Sequence, residues 1–173
     1  MIKRIAFSAI ALALTIICLY GASFLPTGRL AALALASLFG GICISQYGVR
    51  YGVALYVGAS ILALLFIPRR MFVLIYILFL GYYPIIKLYI EKLNKLWAEW
   101  ILKVLFFNVL LLVFYIAFKL FFMPIFNATL TTLLLQYLGV VIIALEIVFV
   151  IYDLALSYMI GYFDQVLRRI YNE

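Results

Sequence analysis

From Ile5 to Tyr162 the chain is a succession of apolar runs joined by short polar turns, with approximate limits 5–25, 30–47, 53–67, 71–90, 101–123 and 133–162. A bilayer core takes about 20 residues of helix, and a chain crossing lipid must satisfy its backbone within helices or a closed barrel. The expected fold is therefore all-α, a polytopic membrane protein whose six transmembrane helices make a single transmembrane domain over 1–173. Composition agrees, because 71% of residues are hydrophobic and 11% charged, where a soluble domain has about half and about a quarter. Some runs are short for a core of about 30 Å, so their ends must snorkel or shelter behind longer neighbours.

A net charge of +7 with pI near 9.5 would point to nucleic acid in a soluble protein. Here the basic residues sit between apolar runs and read as topology signals, so no nucleic-acid partner is expected. With both termini in the cytoplasm, Lys3, Arg4, Arg50, Lys87, Lys92, Lys95, Lys103, Arg168 and Arg169 lie inside, against Arg29, Arg69, Arg70 and Lys119 outside. Positive residues favour the inner side, giving an N-in/C-in protein of a bacterial cell membrane with lipid around it. Met1 to Arg4 followed by an apolar run, with Gly21, Ala22 and Ser23 at its end, also resembles a signal peptide. It is read as the first span.

Gly81 to Lys103 is the one stretch that gathers charges of both signs. Read as a helix from Glu91, it puts Leu93, Leu96, Trp97, Trp100 and Ile101 on one side and Glu91, Lys92, Asn94, Lys95 and Glu99 on the other. Glu91 with Lys95, and Lys95 with Glu99, are then helical pairs worth about 0.3 kcal/mol each. Indoles beside ammonium groups point to an interfacial amphipathic segment between helices 4 and 5. The alternative is a solvated loop.

The joints are set by Pro26 to Arg29, by Gln46 to Gly52, by Pro68 to Arg70 and by Pro124 to Thr132. Gly81 and Pro84 are placed to kink the fourth span. Small residues recur at four-residue steps: Ala9 and Ala13 on the first span, Ala32, Ala36 and Gly40 on the second, and Ala54 and Gly58 on the third. Such seams let helices approach closely.

The chain contains no histidine, and Cys18 and Cys43 lie inside apolar runs. Zinc sites and histidine-based triads are excluded, and neither a metal nor any other cofactor is expected. Intramembrane ionisable groups are costly and need a partner or a purpose. On the sixth span Glu146 and Asp153 share a face, and on the fifth Asn108, Tyr115 and Lys119 do. Counting about 1.5 Å per residue along antiparallel helices puts Asn108 level with Glu146, and Lys103 level with Asp153. Lys103 and Asp153 are expected to pair structurally. Glu146 is expected either to face an interior cavity or to bond Asn108. A carboxylate dyad is ruled out by a separation of about 10 Å along the axis, so the chain is not expected to be an enzyme.

This pattern resembles the substrate-binding S components of energy-coupling factor (ECF) transporters and related small bacterial membrane proteins. The likeness lies in the number of spans, both ends inside, Ala9 and Ala13 on the first span, and small-residue helices preceding aromatic ones. It implies a subunit that captures a small molecule such as a vitamin and docks on a transmembrane scaffold subunit coupled to ATPase subunits. Carried to this chain, it implies substrate binding by Tyr76, Tyr115, Lys119, Gln136 and Glu146, and partner docking by Ala9 and Ala13. The rival class is a structural membrane protein of the cell-shape or division type, packing partner helices through Ala9, Ala13, Ala36 and Gly40 and binding no solute.

Overall fold

A computed structural model describes residues 2–121 and 128–172, with side chains described over 4–116 and 139–166. They form α1 (Ile2–Phe24), α2 (Arg29–Tyr47), α3 (Val49–Phe66), α4 (Arg70–Ile75), a π-helical turn (Tyr76–Leu80), α5 (Tyr83–Glu91), α6 (Leu96–Phe121) and α7 (Ala128–Asn172). Among the described residues there is no strand. Among the described residues, six segments are long and apolar enough to cross a membrane: Arg4–Phe24, Arg29–Tyr47, Val49–Phe66, Arg70–Glu91, Leu96–Ile116 and Gly139–Val166. By contacts the chain divides into one unit of Met1–Tyr89 with Ala155–Glu173, and another of Ile90–Leu154.

In the first unit, α1 buries Ala11, Thr15, Leu19 and Ala22, a stripe at four- and three-residue steps. Across it lies α2, which buries Leu33, Ala36, Ser37, Gly40 and Ile44. Thr15 Oγ1 donates to the Ala11 carbonyl at 2.8 Å and reaches the Ala36 carbonyl at 3.4 Å. A hydroxyl comes that close to a neighbouring backbone because the residue there is small. Ala36 and Gly40 are thus packed inside the unit, whereas Ala9 and Ala13 lie on the opposite side of α1 and are exposed.

The joint expected over Gln46 to Gly52 contracts to one residue. Gly48, with φ 92°, reverses the chain between α2 and α3 while its amide closes α2 on the Ile44 carbonyl at 2.8 Å. That backbone conformation favours glycine. Ser45 and Gln46 stay helical and find a partner further along the chain: Asp164 on α7 accepts from Ser45 Oγ, and from Gln46 Nε2 at 2.8 Å. Polar residues that look like a loop are therefore bonded side chains of a helix. On α3 the buried stripe is Gly52, Leu55, Ala59 and Ala63. Ala54 is exposed, whereas Gly58, half-buried, lets α1 approach closely: a Cβ there would stand 2.9 Å from Leu12 Cδ1.

In the fourth span the α-helix is interrupted just before Gly81, by a π-helical turn. Gly81 donates to the Tyr76 carbonyl at 2.7 Å, five residues back, which widens the helix over Tyr76–Leu80. Tyr56 Oη, from α3, donates to the Ile77 carbonyl at 2.9 Å. A Cβ on Gly81 would stand 2.7 Å from the Tyr56 ring and 2.9 Å from the Tyr76 carbonyl, so the ring occupies the space that glycine leaves.

In the second unit, α6 and the part of α7 up to Leu154 meet through Phe107 and Phe149, whose rings stack at 4.4 Å with 5° between their planes. The other apolar faces point outward: Leu105, Val109, Leu112, Ile143, Ile147 and Ile151 are each more than half exposed. Between α5 and α6 the charged stretch is a turn. Glu91 closes α5, Asn94 takes a positive φ of 51°, and α6 opens at Leu96. A short amide side chain tolerates that conformation, and it breaks the continuous helix read from Glu91.

Candidate functional site

Two groups of bonded polar side chains lie along α6 and α7 among the described residues of the second unit. The first centres on Lys103, which is 5% exposed. Its ammonium group donates to Asp153 Oδ2 at 2.8 Å and to Glu91 Oε1 at 3.0 Å. It also lies 5.7 Å from the Trp100 ring centroid, one turn back on α6. Asp153 is 1% exposed, so the ion pair sits where water does not weaken it. Burying two opposite charges together avoids the far larger cost of burying either alone.

The second group is Asn108 with Glu146. Asn108 Nδ2 donates to Glu146 Oε1 at 2.9 Å and to the Val104 carbonyl one turn back at 3.0 Å. Both N–H bonds of the amide are then used. The amide cannot be turned over, since its oxygen would then face a carbonyl and a carboxylate. Asn108 and Glu146 are each half-buried. Phe107 and Phe149 stack between the two groups in sequence, being next to Asn108 and one turn beyond Glu146.

Of the residues the sequence singled out, the structure brings Lys103 to Asp153 and Asn108 to Glu146. Tyr115 is half-buried on α6, two turns beyond Asn108 on the same face. Tyr76 belongs to the first unit, 1% exposed, with its ring 6.4 Å from that of Tyr56. It is a core residue of that unit. The side chains of Lys119 and Gln136 lie outside the described residues. No group of metal-ligating side chains occurs among the described residues.

Sequence reading missed two polar side chains of the first unit. Lys87, taken as a cytoplasmic topology signal, is 2% exposed and places Nζ 2.6 Å from Ser157 Oγ. Asp164, just past the last apolar run, accepts from Ser45 and Gln46 at the end of α2. No local pattern marked Lys87, because its partner stands 70 residues further along the chain. The first unit also contains a hollow of about 160 Å³ between Phe7 and Leu14 of α1, Phe39 and Ile42 of α2, and Phe163 of α7. Its lining is apolar.

Fold and site together define the class: an all-helical chain whose six apolar helices are compatible with a multi-pass membrane protein, with ionisable side chains paired inside that apolar frame. Compared with protein-family models, curated proteins and solved structures, the chain matches none of them.

Proposed function

We propose that the chain is the solute-capturing subunit of an uptake transporter of the energy-coupling factor type, a multi-pass protein of a bacterial cell membrane with both ends in the cytoplasm. The observation that carries this reading is Glu146, an ionisable side chain within an apolar span, half-buried and held among the described residues by one neutral partner, Asn108. An intramembrane acid so placed is a binding group by default. Tyr115, on the same face of α6 as Asn108, would line the pocket beside it. The charged stretch between α5 and α6 would lie at the membrane interface with Trp97, 86% exposed, at its boundary. The protein would hydrolyse nothing itself. Ala9 and Ala13, exposed on α1, would dock a transmembrane scaffold driven by ATPase subunits.

The experiment is expression of the tagged full chain in its own host, followed by purification and reconstitution in proteoliposomes. Copurification of a membrane scaffold with two ATP-hydrolysing subunits, and ATP-dependent solute accumulation by the complex, are expected. A chain that purifies without such subunits and supports no accumulation rejects the proposal.

A structural role is the second reading, and one observation favours it. Lys103 is taken up by two carboxylates, and the stacked phenyl rings beside it pack α6 against α7 without a hollow between those two rings. In that case the exposed alanines of α1 would pack a partner helix, and Ala36 and Gly40 would not, being buried in their own unit.

A further inference from the structure

We infer that the solute bound at Glu146 is a small organic cation carrying N–H donors, a primary ammonium or an amidinium, rather than an anion or a neutral acceptor. The inference rests on the capture reading above and adds the chemistry of the ligand.

The argument is a count of donors and acceptors. Asn108 has two N–H bonds, and both are engaged, one by the Val104 carbonyl and one by Glu146 Oε1. Its own oxygen, Oδ1, receives no hydrogen bond from the described residues, and neither does Glu146 Oε2. Since no side-chain oxygen among the described residues is both buried and unpartnered, these two oxygens are accessible. The pair therefore presents acceptors only. Its donors are exhausted, and a carboxylate adds one negative charge.

Lipid tails offer no hydrogen to either oxygen, and no water reaches the centre of a bilayer. A second acceptor brought there would meet only like partners, and an anion would be repelled. A ligand with two or more N–H bonds and a positive charge answers both oxygens at once, by bonds of the strong, charge-assisted kind. Lys103 does not supply that charge, because Asp153 and Glu91 hold its ammonium group, five residues from Asn108 along α6. Apolar bulk on the ligand has somewhere to go: Tyr115 lies on the face of Asn108, and aromatic rings accept cations as well as carbon.

The test uses the purified full chain in lipid nanodiscs and three probes of similar size: phenethylammonium, benzamidinium and phenylacetate. Thermal unfolding is followed at rising probe concentration, and gel filtration and circular dichroism establish that each variant is folded. Either cation is expected to raise the melting midpoint of the wild type in a saturable way, and phenylacetate is not. Glu146→Gln should raise the half-saturating concentration by about tenfold or more, and Glu146→Asp, which keeps the charge, should recover part of it. Stabilisation by phenylacetate, no response to either cation, or an unchanged response in Glu146→Gln overturns the inference. So does a carbodiimide cross-link from Glu146 to a lysine of a copurifying protein in a chain that ignores the free cations, which assigns the acid to a partner helix. ATPase copurification without a cation response leaves the capture reading standing and removes this one. A cation response without the ATPases keeps the cation as the ligand of Glu146 and removes only the coupling to ATP-hydrolysing subunits.

Discussion

Lys103 and Asp153 form an ion pair of 2.8 Å whose side chains are 6% and 2% exposed. Neither charge has water to fall back on, so each depends on the other. Lys103→Met is expected to destabilise the protein by about 3–5 kcal/mol, because Asp153 is left as an uncompensated buried charge. The double variant Lys103→Met with Asp153→Leu should recover most of that loss. Melting midpoints of the two single variants and the double variant in detergent measure the coupling, and purely additive effects would contradict it.

Gly81 is the second place where one atom matters. Gly81→Ala pushes a methyl group against the Tyr56 ring and the Tyr76 carbonyl, and the carbonyl is backbone that cannot swing away. A loss of about 1–3 kcal/mol follows from such overpacking. Tyr56→Phe removes only the bond to the Ile77 carbonyl and should cost about 1 kcal/mol. The same melting assay ranks them, and a Gly81→Ala protein as stable as the wild type would show that the π-helical turn has room to spare.

The alanine seams give opposite expectations. Ala36→Leu forces bulk between α1 and α2 and should destabilise by about 1–3 kcal/mol. Ala13→Leu lies on the exposed side of α1 and should change stability by less than about 0.5 kcal/mol. Under the docking proposal Ala13→Leu nevertheless loses the partner. Copurification yield measured beside the melting midpoint separates the two effects.

Asp164 offers a readout that is local. Asp164→Leu removes the acceptor of both Ser45 and Gln46, and should cost about 1–3 kcal/mol as those donors lose their partner. Backbone amides of the last turn of α2 should then exchange hydrogen faster than those around Ala36. Equal exchange at both places would mean that the carboxylate does not hold the helix end.

The all-helical fold and the number of apolar helices were legible because an apolar run of that length has few other uses. The two polar pairings of α6 and α7 were legible for a simpler reason: a fixed rise per residue brings Lys103 level with Asp153 and Asn108 level with Glu146. What stayed hidden depends on residues far away in the chain. Gln46 looks like a loop residue until Asp164 is beside it. Lys87 looks like a topology marker until Ser157 is found at its ammonium group. The widened turn at Tyr76–Leu80 needs the phenol of Tyr56, and no local pattern announces a partner on another helix. The charged stretch failed for a different reason. Its apolar spacing continues across Asn94, but one residue with positive φ ends the helix whatever the spacing.

The turn at Tyr76–Leu80 bears on descent as well as on shape. A π-helical turn is an α-helix that has absorbed one additional residue, and that residue advances everything after it by about 100°. Related chains that lost it would keep the same spans and differ by a single gap in this pentapeptide, with the face carrying Lys87 swung round to new neighbours. Length variation of one residue here would therefore record a change of internal wiring that the surrounding sequence does not betray.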